Sequence, residues 1–206
     1  MGAAYIFEWS GTLSDDFHCF CRVCELMFAE LGAEMISEDE IRMTFTTPYM
    51  KFWNLYFPKL SKKRQCELYE KFIHQAGNPE LYRGVRLAIS SLHKSGHKLY
   101  IVSSDPLSKL HPEIEKSGLS GMLDGIVGNV HHKKQALKLL VKKHKLNPAK
   151  TFYIGDTSGD IEAGKFAGVK TIGISWGFQH PLILAQSEPD FLISTIAGIK
   201  KIAKQQ

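Results

Sequence analysis

The sequence predicts an α/β protein, a three-layer sandwich around a parallel sheet, with a small helical bundle inserted near its start. Three observations carry that expectation. Short apolar runs alternate with segments of helical periodicity through most of the chain, the pattern of βαβ units. The stretch from Phe17 to about Gly77 breaks that rhythm and reads as helix after helix. Several strand-like runs end abruptly in acids, hydroxyls or glycine. In an open parallel sheet, the carboxyl ends of the strands are where ligands bind.

The first element is Tyr5-Ile-Phe7, too short and too apolar for anything but a buried strand, and it runs into Glu8-Trp9-Ser10-Gly11-Thr12. Phe17, Phe20, Cys21, Cys24, Met27, Phe28 and Leu31 then recur at helical spacing until Gly32. Ser37 with Glu40 three residues on is a capping-box signature ahead of Ile41, and Ser61 can cap a further helix carrying Leu68, Tyr69, Phe72 and Ile73. Between them Pro48 and Pro58 bracket the aromatic stretch 49–57.

The α/β rhythm resumes at Tyr82. A helix through Leu87 and Leu92 ends at Gly96, followed by the strand Lys98–Val102, a short helix near Ser108–Lys116 and a small strand around Gly125–Val130. A helix is expected over Lys133–His144, a strand over Thr151–Ile154, a helix over Asp160–Ala167 and strands over Val169–Ile174 and Phe191–Ile193. The last helix is expected over Ile196–Lys204. Right-handed crossovers between such parallel strands give a Rossmann-like layering.

Composition narrows the function. At 206 residues the chain can bury a sizeable core as one domain with an insertion, and 44% hydrophobic with 23% charged residues is ordinary for a globular protein. There is no run of the roughly eighteen apolar residues that a membrane span requires. Met1 leads straight to a strand without a secretory pattern, so a cytoplasmic protein is expected. The net charge of +5 is dispersed, which suits a small anionic ligand, and no motif points to nucleic acid. Cys19, Cys21 and Cys24 lack the spacing of a zinc knuckle and read as small apolar side chains in a reducing compartment.

Three further strand ends carry chemistry. Val102 is followed by Ser103-Ser104-Asp105, Ile154 by Gly155-Asp156-Thr-Ser-Gly-Asp160, and Lys133 opens a helix before that strand. Taken singly these are a loop serine, a helix cap and a solvated lysine. Together, acids, a hydroxyl and a lysine at one edge of a sheet suit a phosphate group with Mg²⁺, because hard cations take carboxylate oxygens and a lysine neutralises phosphate.

These residues resemble, in order and spacing, the four motifs of the haloacid-dehalogenase (HAD) superfamily, and the likeness spans nearly the whole chain. The family's first motif, Asp-x-Asp-Gly-Thr, reads here Glu8-Trp9-Ser10-Gly11-Thr12, so both aspartates are replaced. The resemblance places Glu8 at the position of the nucleophile, Ser10 at that of the leaving-group acid, Ser103 at the second-motif hydroxyl and Lys133, with Lys134 as fallback, at the third-motif lysine. It implies Mg²⁺ held by Glu8, the Ser10 carbonyl, Asp156 and Asp160, and substrate contacts from Gly11, Thr12, Ser104 and Lys51. It divides the chain into a core (1–16 and 79–206) and a helical cap (17–78), and Tyr82-Arg-Gly-Val85 resembles the cap's return in phosphoglycolate-phosphatase-like members.

The function so implied is a Mg²⁺-dependent hydrolase of a small phosphorylated metabolite, a phosphomonoesterase slowed by its altered first motif. Glutamate keeps charge and metal-binding oxygens but adds one methylene. Serine does not supply the acid, a contribution of about 10²–10⁴-fold in rate. Two alternatives follow. One is a degenerate phosphatase that binds a phosphorylated ligand without turnover. The other is a C–P hydrolase resembling phosphonoacetaldehyde hydrolases, which have Trp after the nucleophile and a Schiff-base lysine in the cap, here Lys51.

Overall fold

A computed structural model describes residues 2–203. The chain opens with strand β1 (Ala4–Phe7) and a two-residue strand β2 (Ser14–Asp15), then four helices, α1 (Phe17–Glu30), α2 (Glu38–Thr44), α3 (Met50–Tyr56) and α4 (Lys62–Ile73). Strand β3 (Glu80–Leu81) returns antiparallel to β2. The alternating part follows as α5 (Val85–Lys94), β4 (Lys98–Val102), α6 (Leu107–Ser117), β5 (Gly125–Val127), α7 (Lys133–Lys143), β6 (Thr151–Gly155) and α8 (Ser158–Ala167). It closes with β7 (Lys170–Ile174), α9 (Pro181–Gln186), β8 (Phe191–Ile193) and α10 (Ala197–Ala203). The expected end of the last helix at Lys204 lies outside the described residues.

Six strands form one parallel sheet in the order β5-β4-β1-β6-β7-β8. The chain builds outward from β1 to β5, then crosses back to place β6 on the other side of β1, so the strand order reverses there. That reversal opens a crevice at the carboxyl ends of β1, β4 and β6. Side chains of successive strand residues alternate between faces. Tyr5 and Phe7 accordingly pack with Val85 and Ile89 of α5, Leu110 of α6 and Ile199 of α10. Ile6 packs on the opposite face with Leu137 and Leu140 of α7 and Ala163 of α8. The three-layer sandwich is the fold the sequence predicts.

Helices α1 to α4 share a second hydrophobic core, built on Phe20, Met27, Phe28, Phe52, Trp53 and Leu68, which Phe178 from the loop after β7 enters. Cys19, Cys21 and Cys24 are buried in it as free thiols. Both expected caps form: Ser37 accepts from the Glu40 amide and Ser61 from the Arg64 amide. Truncating the wholly buried Phe52 to alanine would cost about 3–5 kcal/mol. The loop before α3 meets the core closely, since a Cβ at Gly159 would lie 2.2 Å from the Thr47 carbonyl oxygen.

Two elements differ from the sequence expectation. The strand expected over Gly125–Val130 stops at Val127, because Asn129 and Val130 leave the sheet and donate their amides to the carbonyls of Asp105 and Ser103. That turn grips the loop after β4. Helix α9 had no periodic signal; it is six residues long, with Pro181 at its first turn and His180 accepting from the Leu182 amide.

Candidate active site

The loops leaving β1, β4 and β6 surround a cavity of about 150 Å³ beneath α1 to α4, lined among others by Glu8, Ser10, Ser103, Ser104, Lys133, Asp156 and Asp160. Glu8 directly follows the central strand, and its amide still pairs with Ile154 of β6 at 2.9 Å. That anchor fixes the side chain at the crevice. The Ser103 hydroxyl donates to Glu8 Oε1 at 2.6 Å, and the Lys133 ammonium forms an ion pair with Glu8 Oε2.

Lys133 is the first residue of α7 and also donates to Asp160 Oδ1 at 2.6 Å. Lys134 points outward to Glu162, and it is Lys133 that lines the cavity. Asp160 is fully committed: Oδ2 accepts from the Thr157 amide and hydroxyl in a capping box of α8, and Oδ1 also accepts from the Tyr153 hydroxyl at 3.1 Å. It therefore aims Lys133 at Glu8. Burial would drive the Lys133 pKa down, but the two carboxylates outweigh it and raise it.

Asp156, at the end of β6, accepts from the Phe178 amide at 2.7 Å and from the Thr12 hydroxyl at 3.2 Å. Gly11 is what lets the first loop close on it: its φ is +71°, and a Cβ there would lie 2.4 Å from Asp156 Oδ2. Gly11 and Thr12 thus brace Asp156 and are not among the residues lining the cavity, a correction to their expected place against substrate. Burial pushes the Glu8 carboxyl up to about 7 and Asp156 to about 8, both helped by the charge of Asp160, while Lys133 pulls against both.

Two buried carboxylates at the ends of adjacent strands, incompletely neutralised by one lysine, suit a hard divalent cation. Mg²⁺ is held by one or two carboxylates and keeps several waters. Among the described residues no three acidic, His or Cys side chains form a metal cage. The donor set available is accordingly Glu8 and Asp156, with backbone and water oxygens completing the shell; Asp160, expected among the ligands, has its oxygens taken up by Lys133, Tyr153 and Thr157 instead.

Ser10 belongs to a second cluster that sequence reasoning missed. Its hydroxyl lies 2.5 Å from Asp16 Oδ2 and 2.6 Å from Asp105 Oδ2, and its single proton serves one of them at a time. Lys109 donates to Ser10 at 2.9 Å and to both carboxylates at 3.0 Å. Burial would raise the Asp105 pKa, but Lys109 and hydrogen bonds from Ser10 and Ser103 outweigh it and hold it below the usual range. Asp16 also fixes the Gly11 amide at 2.9 Å, and Trp9 Nε1 bonds Glu113 at 2.7 Å, beside Lys109. The available signal was Asp105 and Lys109 at i, i+4 across the start of α6.

Lys51 is a further correction. It is exposed and does not line the cavity, because α3 turns Phe52 and Trp53 inward from the neighbouring positions. No lysine of α1 to α4 lines the cavity, so the Schiff-base reading lacks the lysine it requires from those helices.

Comparison with known proteins gives the chain its family. Residues 5–174 match the model of the haloacid dehalogenase-like hydrolase family. The chain is 32% identical over 153 residues to a phosphoglycolate phosphatase of Vibrio vulnificus, covering 69% of this chain and 67% of that protein. It is 24% identical to a phosphoglycolate phosphatase of Synechococcus elongatus over 98% of this chain and 97% of that one. Among solved structures, a haloacid dehalogenase-like family hydrolase from Streptococcus pneumoniae superposes with a TM-score of 0.84 at 23% identity, over 100% of this chain and 99% of the other. Phosphatases of this family are generally Mg²⁺-dependent. The chain belongs to the haloacid dehalogenase-like hydrolases.

Proposed function

We propose that the protein is a Mg²⁺-dependent phosphomonoesterase acting on a small phosphorylated metabolite, with Glu8 as the phosphoryl acceptor. The observation that carries this reading is Lys133 bridging Glu8 and Asp160 beside Ser103, at the one edge where β1, β4 and β6 end. A phosphate seated there meets the Ser103 hydroxyl and the Lys133 ammonium, both already directed at Glu8. Glu8, Asp156 and the Ser10 carbonyl would hold Mg²⁺, which when bound neutralises the charge developing on the transferring phosphoryl group.

The Glu8 carboxylate oxygen bonds to phosphorus as the ester P–O bond breaks, and water then cleaves the acyl phosphate, releasing inorganic phosphate and regenerating Glu8. Ser10 supplies no proton at neutral pH, so the leaving oxygen takes its proton from water. Esters of acidic alcohols, which leave as anions, are turned over faster than alkyl esters. Helices α1 to α4 (within 17–78) act as the cap that covers this site. The three buried free thiols accord with a cytoplasmic protein. Hydrolysis of p-nitrophenyl phosphate with Mg²⁺, lost in Asp156→Asn, tests the reading.

One observation favours a second reading, binding without turnover. The hydroxyl at the acid's position is enclosed by Asp16, Asp105 and Lys109. Mg²⁺-dependent phosphate binding with no hydrolysis of any ester would select it.

A further inference from the structure

We infer that a second cavity, separate from the catalytic one, binds a small multivalent oxyanion, a metabolite carrying phosphate or carboxylate groups, on Arg83, Arg86 and Lys116. This cavity has a volume of about 330 Å³ and shares no lining residue with the catalytic one. The first loop divides the two: Trp9 lines the second cavity, and its neighbours Glu8 and Ser10 line the first. The other walls are Ser14 of β2, Glu80 and Leu81 of β3, the turn into α5 and the last turns of α6. The site therefore lies where the chain crosses between the sheet and the helices α1 to α4.

Charge identifies the ligand. Arg83 precedes α5, Arg86 stands in its first turn, and Lys116 is in the last turn of α6. The Arg86 guanidinium lies over Gly118, the C-cap of α6, since a Cβ there would be 3.6 Å from Arg86 Cζ. That brings it to the helix end that carries Lys116. All three side chains are exposed, and among the described residues none makes an ion pair or a hydrogen bond. Of the acids in the cavity, Glu113 accepts from Trp9 Nε1 at 2.7 Å and its other oxygen lies 3.8 Å from Lys109, so its charge is already engaged. Three cations are then left against the single carboxylate of Glu80.

Exposed cations taken singly are solvated, but a cleft lined by one sign of charge focuses the field and gathers counter-ions. Arginine adds geometry, because its planar fork matches the paired oxygens of a carboxylate or phosphate. The volume falls at the lower end of the range for small-molecule pockets, about 300–1,000 Å³, so a metabolite fits and not only a single ion. Pro79, Leu81 and Tyr82 offer apolar surface to its carbon skeleton.

The test is calorimetric titration of citrate and, separately, of inorganic phosphate into the Mg²⁺-free protein, so that no result depends on turnover. Wild type should bind at least one of them with a Kd of about 1 mM or tighter. Combining Arg83→Gln with Arg86→Gln should weaken that Kd at least about 10-fold, through loss of charge-assisted contacts. Lys116→Gln, on the opposite wall, should weaken it about 3- to 10-fold alone. Lys142→Gln with Lys143→Gln takes the same two charges from the exposed side of α7, on the far face of the sheet, and should leave the Kd unchanged. Binding of neither anion, a wild-type Kd in the arginine variant, or equal weakening by the α7 variant would overturn the inference.

Discussion

Two lysine-centred clusters sit side by side at the carboxyl edge of the sheet, and they treat the two altered positions of the first motif differently. Lys133 holds Glu8 and Asp160, leaving Glu8 clamped at the crevice with Ser103 on its other oxygen. Lys109 holds Asp16 and Asp105, and the two carboxylates enclose the hydroxyl of Ser10. In the first cluster the lysine serves the reacting position. In the second it neutralises two acids that enclose a neutral hydroxyl, and the negative charge beside residue 10 is that of Asp16 and Asp105.

Removing each lysine separates the clusters most sharply. Lys133→Met should lower turnover about 10²- to 10³-fold, since it removes a donor at the developing charge. Lys109→Met should lower turnover far less. Both should cost about 3–5 kcal/mol in denaturant unfolding, because each leaves buried carboxylates unpaired. Equal losses of activity would show that the second cluster takes part in the chemistry.

Next in size is Glu8→Asp. Ser103 and Lys133 are set for the longer side chain, and drawing the carboxylate back by about one C–C bond should lower kcat about 10²-fold. A rise in kcat would mean that glutamate is a defect and not an adaptation. Ser10→Asp does not restore the family's acid, because the new carboxylate would lie against Asp16 and Asp105. That single change should destabilise the fold by about 1–3 kcal/mol. Adding Asp105→Asn should recover stability and raise turnover of alkyl esters above wild type, readable in kcat for ribose 5-phosphate.

The difference between the clusters also explains what was legible. Glu8, Ser103, Lys133, Asp156 and Asp160 each stand at a strand or helix end in a fixed order, so the sequence exposes them. Asp105 and Lys109 stand four apart at the start of α6, but Asp16 comes from a distant segment, and locally each has an ordinary reading. Asp16 stands at the N-cap of α1 but makes no side-chain cap bond there, its carboxylate being spent on Ser10, Gly11 and Lys109. Only the folded chain brings them together. Lys51 was misplaced because which face of a seven-residue helix turns inward depends on packing, here that of Phe52 and Trp53.

The smallest effect is on stability. Glu8 and Asp156 have folded-state pKa values raised to about 7 and about 8, so these two groups hold more protons in the metal-free fold than in the unfolded chain. Their contribution to stability is full below the ordinary carboxylate range and is lost as pH rises through those values. Mg²⁺ binds the deprotonated pair and offsets the loss. The rise in Tm on adding Mg²⁺ should therefore be larger near about pH 8 than near about pH 6. An increment independent of pH would separate the metal from these two carboxylates.

The central claim, that a glutamate at the nucleophile's position accepts the phosphoryl group, is tested most directly by acid-quenching the enzyme during turnover of p-nitrophenyl phosphate with Mg²⁺ and mapping its peptides by mass spectrometry. The account predicts a phosphoryl mass increment on the peptide containing Glu8, absent in Glu8→Gln and in Asp156→Asn. Turnover with no increment on that peptide, or with full activity retained in Glu8→Gln, would contradict it.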